Sequence, residues 1–157
     1  MNVATLKNWG RITVLWFLMG SAYFLVELFW RMPHGESPHP VMLAVGGVCG
    51  VAVGGINQKP QFKDMPIVLQ ALLGTVITLL FEYVFGLWLN LIMGLNVWDY
   101  SGLYGNVLGQ ICIPFGIAWF FIMPFAIWLD DYLRWGFGWN GRKYGIIAAY
   151  RDLILLK

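Results

Sequence analysis

Residues 67–91 read IVLQALLGTVITLLFEYVFGLWLNL, twenty-five positions with a single charge, Glu82. A bilayer core takes roughly 20 apolar residues of helix to cross. Lipid contact restricts a spanning chain to helices or a closed barrel, because every backbone polar group must be satisfied internally. A run this long and continuously apolar is not a barrel strand. The stretch therefore predicts a transmembrane helix, and the one carboxylate inside it needs a reason. An ionised carboxylate at the bilayer centre costs about 2.5–3.5 kcal/mol on insertion scales, so it is retained with a partner, a proton or a wet cavity.

The rest of the chain reads the same way. It is 59% hydrophobic, 17% aromatic and 11% charged, with nine tryptophans in 157 residues, against about 25% charged in a soluble domain. Besides 67–91, apolar runs cover 12–30, 41–56 and 110–129. The expectation is an all-α polytopic membrane protein, a single transmembrane domain over 1–157 with four transmembrane helices and a tail at 130–157. The second run is short for a span and suggests local thinning or shielding by neighbours. The first is too long for a signal peptide and lacks a small-residue cleavage site, so it reads as a retained anchor.

Of the ten Lys and Arg residues, only Arg31 falls outside the N-terminal segment, the 57–66 loop and the tail. The positive-inside rule then puts both termini in the cytoplasm, and so strong a bias argues against dual topology. The net charge of +2 is spread between spans and forms no patch, which excludes a nucleic-acid surface. Cys49 and Cys112 lie within spans and match no metal or redox spacing; they read as small buried hydrophobes.

With this topology the intramembrane acids converge on the outer half of the bilayer. Glu82 lies about 14 Å from the end near Leu91 at 1.5 Å per residue. Glu27 lies one turn below the outer end of the first span, with Arg31 at i+4, the favourable order for an ion pair. The third helix carries Gln70, Gly74, Thr78, Glu82, Gly86 and Asn90 at constant spacing of four. Such a row is a ridge inclined by about 26° to the helix axis, and small or polar residues on it admit a close neighbour. Gly20, Tyr23, Glu27 and Arg31 share one face of the first helix, and the two faces are expected to meet.

In AVGGVCGVAVGGI, residues 44–56, Gly46, Gly50 and Gly54 form a small-xxx-small series. It reads as intramolecular close packing, with a homodimer seam as the alternative. Between the third and fourth spans, Trp98, Tyr100 and Tyr104 suit the membrane–water interface. Asp99, Ser101 and Asn106 can satisfy loop backbone there. Pro114 and Pro124 can kink the fourth span. In the tail, Ile146, Ile147, Tyr150 and Ile154 are spaced for one face of a helix too short to span, predicting a C-terminal amphipathic helix on the inner leaflet. His34 and His39 read as solvated loop residues.

The stretches EYVFG, WDYSGLYGN and GQICIPF between Glu82 and Trp119 resemble the bacterial membrane proteins of the type IV ABC-transporter (CmpB-type) family. YFLVELFWR, the glycine-rich second span followed by Ile56–Asn57, and LDDYLR look like the same family. The resemblance runs from about Tyr23 to Arg134, and PHGESPHP (residues 33–40) departs from the family's shorter form. The resemblance implies a transporter or transporter subunit in the bacterial cytoplasmic membrane. The chain has no GxxxxGK[ST] phosphate-binding loop, so an ATP-driven system requires a separate ATPase subunit.

Three functional readings follow. In a small transporter or subunit, Glu27 and Glu82 bind a cationic substrate or carry coupling protons. Tyr23, Arg31, Thr78, Asn90, Asp99, Tyr100, Asn106 and Gln110 complete the substrate or proton site. In a structural or regulatory assembly component, Glu27–Arg31 is a helix-end ion pair and Glu82 bonds the Trp98–Asn106 loop. A membrane-embedded enzyme is the weakest reading, because no nucleophile–His arrangement or metal-ligand spacing is present. No catalytic residue, metal or cofactor is expected.

Overall fold

The computed structural model describes residues 3–157, with side chains from Thr5 onward. Among the described residues five α-helices follow one another: α1 (Val3–Arg31), α2 (Val41–Gly54), α3 (Ile67–Gly86), α4 (Ile113–Gly136) and α5 (Ile146–Ile154). Short 3₁₀ turns at Met32–His34 and Pro60–Phe62 flank α2, and α3 runs on into a π-helical segment, Leu87–Ile92. No strand forms among the described residues. Among the described residues three helical stretches are long and apolar enough to cross a membrane, Thr5–His34, Ile67–Ile92 and Ile113–Gly136. α2 is a shorter apolar helix. Its 14 residues span about 21 Å at 1.5 Å per residue.

The chain divides into two compact units, Met1–Ala52 and Val53–Lys157. In the first, α1 buries Leu15, Met19, Gly20 and Glu27 and exposes Phe17, Leu25, Phe29 and Trp30. Gly20 lies against the Leu43 carbonyl, Gly46 against the Tyr23 ring and Gly50 against Met19. A side chain at any of these glycines has no room, which is the physical basis of small-residue packing in lipid, where tight van der Waals contact replaces the hydrophobic drive. The glycine series is thus covered within the chain, in keeping with its intramolecular reading. α2 starts after Pro38 and Pro40, with Val41 N–H donating to His39 Nδ1 at 3.2 Å.

In the second unit, α3 is turned inside out relative to a soluble helix. Gln70, Ala71, Gly74, Thr78, Glu82 and Gly86 are its buried residues, the ridge expected from spacing, while Leu72, Val76, Leu80 and Val84 are exposed. Met123 of α4 fills the notch at Gly74, and its sulfur lies 4.0 Å from the Thr78 hydroxyl.

The ends of α4 differ from the sequence expectation. The helix begins at Ile113, not Gln110, because Gly109 and Gln110 are tied into the preceding loop by backbone bonds to Tyr100 and Val107. Pro114 therefore sits in the first turn, where its missing N–H costs nothing, and only Pro124 lies inside the helix. At the other end α4 runs past Leu129 to Gly136, carrying Asp130 and Asp131 within it. Two residues past its end, Gly138 has a φ of +67°, the left-handed conformation that closes a helix C-terminus.

α5 forms as an amphipathic helix packed on α3 and α4. Ala149 and Leu153 are its buried residues. Ile147 and Ile154 stand 83% and 77% exposed, so the apolar face expected to meet lipid points away from the protein.

Candidate functional site

Three polar clusters are built into this apolar frame. The first belongs to α1. Arg31 Nε donates to Glu27 Oε2 at 2.9 Å, and the Tyr23 hydroxyl, one turn earlier, lies 3.3 Å from Glu27 Oε1. Arg31 also reaches Glu36 at 3.5 Å. Tyr23, Glu27 and Arg31 share a face because they recur every four residues. The expected pair is therefore present, with both oxygens of Glu27 engaged.

The second cluster holds the end of α3 to the loop that follows it. The Asn90 side chain accepts from Val97 N–H at 2.6 Å and donates to the Trp98 carbonyl at 3.0 Å and to Gln110 Oε1 at 2.8 Å. Trp98 Nε1 donates to the Gln110 carbonyl at 3.0 Å. The π-helical segment carries Asn90 into this position; such widened turns often occur at functional sites. Gly86 gives the Gln110 side chain room. One turn below Gly86, Glu82 is 3% exposed, and a further turn below lies Thr78.

The loop residues named from sequence form the rim. Asp99 Oδ1 accepts Ser101 N–H at 2.8 Å, and that backbone hydrogen bond lowers its pKa. Asn106 donates to the Ser101 and Leu103 carbonyls at 3.0 Å, and Tyr100 stacks on Phe115 with ring centroids 4.5 Å apart. Of the expected residues in this unit, Asn90 and Gln110 meet directly, while Asp99 and Asn106 order the loop. His34 and His39 are exposed, and no group of metal-binding side chains occurs among the described residues. Cys49 and Cys112 are buried and form no disulfide.

The third cluster was not assigned a role from sequence. Asp130 and Asp131 are each 0% exposed. Asp131 accepts from Asn57 Nδ2 at 2.8 Å, from Gln58 Nε2 at 2.9 Å and from the Tyr144 hydroxyl at 3.2 Å. One carboxylate thus pins the segment after α2 and the segment before α5 to α4. Burial first, and Asp131 second, raise the Tyr144 pKa above the usual tyrosine range, which keeps that hydroxyl a donor. Asp130 pairs with Arg134 at 2.6 Å, and its other oxygen is buried without a hydrogen-bond partner. Gly54 is pressed against the Asp130 carboxylate. The signal was in view: Asp130 and Arg134 are spaced i,i+4, and Asn57–Gln58 follow the glycine-rich helix. No local pattern links residues 57 and 131, however.

Beside this cluster a cavity of about 670 Å³ opens between the start of α3, the end of the chain and α5. Asn57, Gln70, Arg142, Tyr144, Arg151 and Lys157 are among its lining residues.

Apolar helices of membrane-spanning length, lined outside by Leu, Val and aromatic side chains and inside by glycines, amides and carboxylates, define an α-helical integral membrane protein. The chain matches, over residues 14–133, the family described as "Putative ABC-transporter type IV", and it belongs to that family. Neither a curated protein nor a solved structure matches the chain. The matched region includes Glu27, Glu82, Asn90, Gln110, Asp130 and Asp131, and ends before Tyr144 and α5.

Proposed function

We propose that this protein is a transporter component of the bacterial cytoplasmic membrane, with both termini in the cytoplasm and a polar site in the outer half of the bilayer. The observation that carries this reading is Glu82, a carboxylate 3% exposed at the middle of an inward ridge in a membrane-length helix. Intramembrane acids of this kind mark ion and proton pathways. Thr78, Asn90 and Gln110 are the neutral partners along the same helix end and loop, and Asp99, Tyr100 and Asn106 form the mouth. Glu82 is the carboxylate that binds a cation or exchanges a proton, whereas Glu27 holds Arg31 with Tyr23 as its second donor.

Family membership supports a link to ATP-driven transport. The sequence has no phosphate-binding loop, so the ATPase is a separate subunit in this reading. The second class, an assembly component without substrate, is favoured by the Asn90–Trp98–Gln110 bonds, which suffice to order the loop.

Glu82→Gln separates the two. In reconstituted vesicles, uptake of radiolabelled rubidium, guanidinium or tetraethylammonium under an imposed pH gradient is the transport measurement, beside thermal unfolding. The transporter reading expects uptake above that of protein-free vesicles and at least a tenfold loss in Glu82→Gln with stability retained. Uptake unchanged in a folded Glu82→Gln variant removes this carboxylate from the mechanism.

A further inference from the structure

We propose that the cavity between the start of α3 and α5 is a binding site for the phosphate-bearing headgroup of an anionic phospholipid, with one acyl chain lying along the exposed face of α5. The inference rests on membership of the membrane, not on the transport reading above.

Three features of the cavity point to this occupant. Arg142, Arg151 and Lys157 line it, against the two acids Asp64 and Asp152. Arg151 is paired with Asp152 at 2.7 Å, and Arg142 donates to the Lys63 carbonyl. The first turn of α3, Pro66 to Gln70, forms another wall, where Ile67 N–H donates to the Lys157 carbonyl at 2.8 Å and holds that lysine beside the cavity.

The second feature is Gln70. It is only 5% exposed, it lines the cavity, and its Nε2 is held by the Met65 carbonyl at 2.6 Å. Its Oε1 is buried without a hydrogen-bond partner. A buried unsatisfied acceptor calls for a donor. The hydroxyls of a glycerol headgroup supply one, and a bare phosphate dianion does not. At about 670 Å³ the volume falls within the roughly 300–1,000 Å³ of small-molecule sites.

The third feature is continuity with lipid. A groove of about 500 Å³ lined by Ile147, Tyr150, Ile154 and Leu155 runs along the outer face of α5 and shares Arg151 with the cavity. A ligand with an anionic, hydroxyl-bearing head and an apolar tail matches both compartments; a soluble metabolite matches only the first.

The test uses the full chain in a neutral detergent with short-chain phosphatidylglycerol or phosphatidylcholine, read by native mass spectrometry and by the shift in thermal unfolding. Phosphatidylglycerol is expected to bind at least tenfold more tightly. Each juxtamembrane basic residue is worth roughly fivefold, so Arg142→Gln and Arg151→Gln should each cost about fivefold for phosphatidylglycerol and little for phosphatidylcholine. Ile154→Gln, at a position already facing outward, should weaken both lipids and keep the fold. Soluble glycerol 3-phosphate should not compete at equal concentration; competition by it assigns the cavity to a free phosphate ester and overturns the lipid assignment. Equal binding of the two lipids, or a preference that survives in the folded Arg142→Gln and Arg151→Gln variants, also overturns it. If Arg142→Gln fails to fold, Arg151→Gln decides alone, since its side chain is 64% exposed.

Discussion

α1 and α4 each carry an acid followed four residues later by arginine, yet the two pairs do different work. Glu27–Arg31 closes at 2.9 Å with both side chains slightly exposed, 11% and 18%. Tyr23, four residues before Glu27, and Glu36, five residues after Arg31, add to it. Asp130–Arg134 closes at 2.6 Å around a carboxylate that is 0% exposed. Its neighbour Asp131 reaches residues 57, 58 and 144. The same spacing gives a local brace in one helix and the edge of a long-range clasp in the other. What separates them is burial and reach: Asp131, with no water, draws three donors from distant segments, while Asp130 beside it is held by Arg134 through one oxygen.

The comparison predicts its largest effect at Asp131. Asp131→Ala leaves Asn57 Nδ2 buried without its acceptor and releases Tyr144, so a loss on the order of 3 kcal/mol or more is expected from several hydrogen bonds to a charged group. Chemical unfolding in detergent measures it, and a loss under about 1 kcal/mol breaks the view of Asp131 as a clasp.

Gly54→Ala comes next. A methyl group there meets the Asp130 carboxylate, and overpacking of a tight contact costs about 1–3 kcal/mol. Combining it with Asp130→Ala, which removes the obstructing group, should give a double-mutant deficit smaller than the sum of the singles.

Glu27→Gln sharpens the contrast from the other side. Because Arg31 keeps Glu36 and some water, the cost should be about 1 kcal/mol or less, well below that of Asp131→Ala. Tyr144→Phe removes one of three donors to Asp131 and should cost about 1 kcal/mol.

The smallest effect is a pH dependence at the alkaline end. Folding raises the Tyr144 pKa, so its contribution is fully present below the unfolded tyrosine value near pH 10. The contribution is lost as pH rises toward the folded value. Thermal unfolding should therefore fall more steeply above about pH 10 in the wild type than in Tyr144→Phe. Parallel alkaline limbs would detach the phenol from the clasp.

Much of the fold was legible in the sequence for one reason: lipid makes the helical spacing rule speak clearly. The i+4 row from Gln70 to Asn90 is buried and its apolar complement exposed because polar groups have nowhere else to go. The Glu27–Arg31 pair was legible because both partners lie on one turn. The glycine series of α2 announced close packing, though which side chains fill it, Tyr23 and Met19 among them, is a matter of helix register that spacing does not encode.

The sequence by itself determined the class of protein, its apolar helices, the buried ridge of α3, the local ion pair of α1 and the amphipathic α5, since each depends on residues within a few turns of one another. Only the tertiary structure decided that α4 runs on through Asp130 and Asp131, that Asn57, Gln58 and Tyr144 meet there, and that Gln70 and Arg151 face one cavity. Those pairings join positions 13 to 81 residues apart. Their geometry is fixed by how α3, α4 and α5 pack, not by any periodicity along the chain.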